Sequence, residues 1–257
     1  MDSQDAGGLM TGMFDHSLGL KRLLAPQYVK PTIVLLVATL VSVTFKIYGS
    51  KAFYIETLSS TVALAGTVQE SAALYVFASS FVLLGVVPCL VVMLLFREPL
   101  SAYGVQLGDA RFGWRAVAVV APVMIVSAYP SASMSEFRAE YPINPLAGES
   151  ALHFLNHAFF YLFFYVGWEF CFRGFVQFGL RTSMGDWNAI LVQTALSCIL
   201  HIGKPAGEIY SSILGALVWG VVAFRSRSLL YPLLTHWVLG LSLDFFVVTS
   251  SSPPVMP

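Results

Sequence analysis

The sequence predicts an all-α fold, a polytopic transmembrane helical bundle of about seven spans. Two observations carry that expectation. Of the 257 residues, 57% are hydrophobic and only 11% charged, with a mean hydropathy of +0.75, against roughly a quarter charged in a soluble domain. The apolar residues also fall in runs near the roughly 20 residues that a helix needs to cross a bilayer.

Those runs occupy approximately 31–48, 71–96, 114–130, 152–180, 187–202, 208–224 and 228–249, each bounded by charge or by Gly and Pro. Residues 1–30 read as an N-terminal cytoplasmic segment and 31–257 as a single transmembrane domain without internal repeats. The N-terminal segment lacks the basic-then-apolar pattern of a cleaved signal peptide, so the first run is expected to serve as an uncleaved anchor. Placing the N-terminus inside puts Lys21, Arg22, Lys30, Arg97, Arg111, Arg115, Arg181, Arg225 and Arg227 on the inner side. Lys46, Lys51, Arg138 and Lys204 then lie outside. This bias predicts N-in and C-out. The proline-flanked stretch 131–150 reads as an extramembrane connector, with a lid or substrate-docking element as the alternative.

Lys plus Arg equal Asp plus Glu at 14 each, so no basic field is offered to nucleic acid. Cys89, Cys171 and Cys198 sit in apolar stretches without CxxC spacing and read as packing residues. His153 and His157 lie one turn apart but lack a third ligand at recognisable spacing, so no metal or other cofactor is expected.

Ionisable side chains inside hydrocarbon cost about 2.5–3.5 kcal/mol each on insertion scales and need a partner, a wet cavity or a function. In GWEFCFRGF, Glu169 precedes Arg173 by four residues and shares its helix face. His201 falls near the end of the fifth run and His236 within the last. Asp244 follows His236 by eight residues, about 80° around a straight helix, and is an accessory candidate together with Glu208. Glu169 and Arg173 alone could be a structural ion pair, and a lone membrane histidine could bridge helices. Together, one carboxylate and two imidazoles on three helices match the inventory of general base, general acid and oxyanion stabiliser.

The succession WEFCFRGF, a membrane histidine followed by GKP, and a late HW resembles the CPBP family of intramembrane glutamic endopeptidases, which includes CAAX-processing prenyl proteases and bacterial relatives. The resemblance covers residue 151 onward. It implies an intramembrane endopeptidase in a bacterial inner membrane that hydrolyses a peptide bond of a membrane-associated protein or peptide with activated water. Glu169 matches the second Glu of the family's Glu-Glu pair, Arg173 the Arg that follows, His201 the first His and His236 the last. Three positions depart. Trp168 replaces the first Glu, Ser197 a Phe, and Gly240 an Asn or Asp. Because the first Glu is the family's water activator, either Glu169 itself or Glu208 folding back over the site would have to serve. A non-catalytic scaffold or chaperone is the alternative, motivated by Trp168 and Gly240; a transporter is a third reading that no inverted repeat supports.

Overall fold

A computed structural model describes residues 25–250; the stretch that contains Lys21 and Arg22 lies outside the described residues. Among them there are helices and no strands. Six helices are long and apolar enough to cross a bilayer: α1 (Pro26–Tyr48), α2 (Val68–Phe96), α3 (Ala110–Ser131), α4 (Ala151–Met184), α6 (Ala206–Ser226) and α7 (Leu230–Thr249). The protein is an integral, multi-pass membrane protein.

The fifth apolar run is shorter than expected. Helix α5 (Asp186–Ile199) has 14 residues, roughly 21 Å at ~1.5 Å per residue, below the hydrocarbon thickness of about 30 Å. Gly185, with φ of +80°, separates it from α4. A turn from Leu200 to Lys204 containing Gly203, at φ +96°, ends it before Pro205 leads into α6. Among the described residues the chain still passes seven times between the two ends of the bundle, once through this short helix.

Local chemistry starts the long helices where the sequence has small polar residues. Thr67 Oγ1 accepts from Glu70 N at 3.1 Å, Asp109 Oδ1 from Phe112 N at 3.0 Å and Ser150 Oγ from His153 N at 3.2 Å, each covering an otherwise orphaned amide. Arg97 and Arg227, both left-handed with φ of 56° and 54°, stop α2 and α6.

Each end of the bundle is tied separately. At one end Lys30 pairs with Glu98 at 2.7 Å, Asp109 N donates to Ser226 O at 2.7 Å and Leu229 N to Gly104 O at 2.9 Å. At the other, Lys46 Nζ donates to the carbonyls of Leu200 and Ile202 at 3.1 and 2.5 Å, and Lys204 pairs with Glu140. In the middle, α2 and α4 cross on two glycines. A Cβ on Gly85 would lie 3.2 Å from Gly167 Cα, and one on Gly167 would collide with the Ser80 carbonyl. Small residues permit this backbone approach, as in other membrane helix pairs, and Ser80 Oγ seals it by donating to Phe164 O at 2.9 Å.

Candidate functional site

Helix α4 carries His157, Tyr161, Tyr165 and Glu169 at four-residue intervals, hence along one face. Helix α7 runs antiparallel to it and presents His236, Gly240 and Asp244 at the same interval. The two stripes meet in register. His236 Nδ1 lies 2.7 Å from Glu169 Oε1, and His157 Nε2 lies 2.7 Å from Asp244 Oδ2. Gly240 sits between these pairs, opposite Tyr165.

From Phe170 to Val176 the α4 backbone widens into a π-helical stretch, all of it buried. Such stretches are rare and often mark functional positions. Arg173, within it, reaches back so that Nη1 is 3.3 Å from Glu169 Oε1. One carboxylate oxygen therefore meets both a guanidinium and an imidazole. The ion pair is almost wholly buried, with both side chains at most 2% exposed.

His236 is held on several sides. Trp219 of α6 stacks on it with ring centroids 3.8 Å apart and planes 22° apart, and the Tyr165 ring meets it edge-on at 4.6 Å. Trp219 is itself fixed by donating from Nε1 to Thr235 Oγ1 at 3.0 Å, and the Arg173 guanidinium lies 5.4 Å from its ring centroid. His201 occupies the turn after α5. Its Nδ1 is 2.9 Å from Ser197 O, and its ring is edge-on to Trp168 at 5.3 Å.

These hydrogen bonds set the tautomers. A carbonyl can only accept, so Nδ1 of His201 carries the proton, and a carboxylate facing Nδ1 of His236 favours the same tautomer there. Each Nε2 is left as a proton acceptor.

A cavity of about 520 Å³ opens beside these groups, toward the end of the bundle that carries Lys46 and Lys204. His201, His236, Tyr165 and Trp168 line its depth, and Lys51, Glu140, Tyr141 and Glu208 its mouth. Glu169 is not among the lining residues; it stands behind His236. Trp168, its neighbour in sequence, forms the wall instead, stacked on Phe164 with centroids 5.7 Å apart. The two adjacent residues thus point in different directions, as the ~100° step between helical neighbours requires.

The expected accessory residues separate. Glu208 reaches the cavity, where Tyr141 Oη donates to its Oε1 at 2.8 Å. Asp244 does not line it. The eight residues from His236 keep Asp244 on the face toward α4 but carry it roughly 12 Å along the helix, to the buried partner His157. His153 bonds with Ser150 at 2.8 Å instead. Of the cysteines, Cys171 is buried and Cys89 and Cys198 are partly exposed.

The 131–150 connector closes over the cavity mouth. Its short helix, Ser135–Glu140, ends on Glu140 and Tyr141, which bind Lys204 and Glu208, while Lys51 Nζ donates to Ile143 O at 3.4 Å. Burial, and next the nearby Glu208 carboxylate, push the Tyr141 phenol well above its ordinary pKa. Burial likewise lowers the Lys51 ammonium from its usual range.

Residues 150–242 match the family model described as type II CAAX prenyl endopeptidase Rce1-like. This segment is similar to CAAX-type membrane proteases. It takes in α4, α5, α6 and most of α7, and with them Glu169, Arg173, His201 and His236. No curated protein and no solved structure matches the chain. The cavity mouth extends beyond the matched segment, since Lys46, Lys51, Glu140 and Tyr141 precede residue 150.

Sequence reasoning missed Trp219 and Tyr165. Each lies in an apolar run, where an aromatic residue reads as packing. Two small residues were signals: Gly215, one turn before Trp219, where a Cβ would lie 2.9 Å from the indole, and Gly240, where one would collide with Tyr165 Oη.

Proposed function

We propose that this chain is an intramembrane endopeptidase in which the Glu169–His236 pair activates water against a peptide bond of a membrane-associated protein or peptide. The observation that carries the reading is the 2.7 Å contact between Glu169 Oε1 and His236 Nδ1 at the wall of a cavity that His201 also lines. The CAAX-protease family match supports the same reaction class.

In this reading Glu169 orients the imidazole and stabilises its protonated form from behind, and His236 Nε2 takes the water proton. The water oxygen bonds to the carbonyl carbon as the π electron pair moves onto the carbonyl oxygen. When that pair returns, the C–N bond breaks and the amine leaves with the proton from His236. His201 Nε2 is a second acceptor in the same cavity and holds the attacking water. Arg173 Nη1, 3.3 Å from Glu169 Oε1, is the counter-charge to the buried carboxylate. Glu208 guards the entrance.

One observation favours the scaffold reading: Trp168, not a carboxylate, forms the wall next to His201. Reconstituted protein and fluorogenic, membrane-anchored peptides decide between the two. Glu169→Gln, His236→Gln and His201→Gln should each lower kcat by about 10²–10⁴-fold, the range for a positioned acid or base. No turnover above background by wild type would leave the scaffold reading standing, and equal measurable turnover by wild type and all three variants would remove these residues from the chemistry.

A further inference from the structure

A hydrolytic site needs a donor where negative charge develops on the carbonyl oxygen. The two imidazoles do not supply one, because both Nδ1–H groups are committed, to Ser197 O and to Glu169 Oε1. Among the other side-chain donors that line the cavity, Lys46 is bound to Leu200 and Ile202, Lys51 to Ile143, Lys204 to Glu140, and Tyr141 to Glu208. Arg173 does not line it.

Tyr165 remains. Its ring is buried, 4% exposed, with an edge against His236 at 4.6 Å, and the residue lines the cavity. Its hydroxyl occupies the space above Gly240, where any Cβ would collide with Tyr165 Oη. The Tyr161 ring packs against that of Tyr165, with centroids 4.7 Å apart. Gly240 thus clears a seat for this oxygen one helical turn from His236.

Resting on the endopeptidase reading, we infer that the Tyr165 hydroxyl, seated on Gly240, donates the hydrogen bond that stabilises the carbonyl oxygen during water attack at His236. The hydroxyl stays protonated. It strengthens its bond as the π electron pair arrives on the carbonyl oxygen and relaxes when the C–N bond breaks.

Tyr165→Phe tests this with little change in packing. Cleavage of a membrane-anchored peptide by the full-length protein in liposomes should fall on the order of 100-fold in kcat, as for loss of one oxyanion donor. KM should stay within about twofold, and thermal unfolding should be that of wild type. Gly240→Ala, which drives the hydroxyl from its seat, should reproduce the kcat loss, and in the Tyr165→Phe background it should add little to it. Unchanged kcat in Tyr165→Phe, with Glu169→Gln inactive, would overturn the Tyr165 role and leave the endopeptidase reading intact. Full activity of both Tyr165→Phe and Glu169→Gln would overturn the two together. A rise in KM without a fall in kcat would make Tyr165 a binding wall and refute the donor role.

Discussion

Trp219 lies flat against His236, with ring centroids 3.8 Å apart and planes inclined by 22°, while Glu169 holds the imidazole edge at 2.7 Å. The stack removes rotation out of the plane and the carboxylate removes rotation within it. An acid–base group fixed in this way loses much of its effect when it shifts by even 1 Å. Trp219→Leu should therefore lower turnover of a membrane-anchored peptide by about 10- to 100-fold. Trp219→Phe retains a flat face and should recover most of it. Steady-state kinetics of both variants, with thermal unfolding as the control for folding, check the expectation.

The Glu169–Arg173 pair makes a separate prediction about stability. Removing one member of a buried pair leaves the other charge uncompensated and costs about 3–5 kcal/mol, whereas replacing both with apolar residues is far less costly. Arg173→Leu should lower the unfolding temperature in detergent more than the Glu169→Leu/Arg173→Leu double variant does. The double variant should be inactive yet well folded. A double variant that is as unstable as the sum of the two single changes would mean that the charges do not compensate each other.

The connector over the cavity mouth is held by discrete polar ties. A Tyr141→Phe/Glu140→Ala variant removes the contacts to Glu208 and Lys204, each of the kind that contributes about 0.5–1.5 kcal/mol. Limited proteolysis within 132–149 should become several-fold faster, while cleavage in the 97–109 connector at the opposite end should not change.

The helical bundle and the four residues Glu169, Arg173, His201 and His236 were legible in the sequence because hydrophobic length and intramembrane charge are local signals. The shortness of α5 was not, since the apolar run continues through Ile202 although the helix ends at Ile199 and gives way to the turn that contains Gly203. The partner of Glu169 was not legible either. Spacing put Arg173 on its face, but the contact with His236 depends on the register between α4 and α7, which rests on the fit of Tyr165 over Gly240. The same register accounts for Asp244. Its angular position was readable, and its partner His157 was not, because no local pattern says which residue of an antiparallel helix lies opposite.

At the other end of the bundle, Glu98 predicts a pH dependence. Burial opposes ionisation of its carboxyl, but hydrogen bonds from Lys30 and Tyr103 outweigh it and hold the pKa below the ordinary value of 4.5. A group whose pKa is depressed on folding stabilises the fold fully above its unfolded pKa and loses that contribution as pH falls through the folded value. Wild type should thus exceed Glu98→Gln in unfolding temperature by a constant margin at neutral pH. The margin should shrink below about pH 4.5 as Glu98 takes up a proton in the unfolded state and then in the folded state. Melting curves of both proteins between pH 3 and 7 test the sign.

Asp244 and His157 show how a membrane carboxylate can be structural. Both side chains are fully buried, joined at 2.7 Å, and neither lines the cavity that His236 and His201 share. Their attraction fastens the start of α4 to the end of α7, two turns beyond the Glu169–His236 contact. Asp244→Ala strands a buried imidazole without a partner and should cost about 1–3 kcal/mol, whereas Asp244→Asn keeps a hydrogen-bonding partner and should cost less. In liposomes at a temperature where Asp244→Asn is folded, its kcat should stay within about threefold of wild type, in contrast to the loss of about 10²-fold or more expected of Glu169→Gln. A kcat loss as deep as that of Glu169→Gln would move Asp244 from the scaffold of the site into its chemistry.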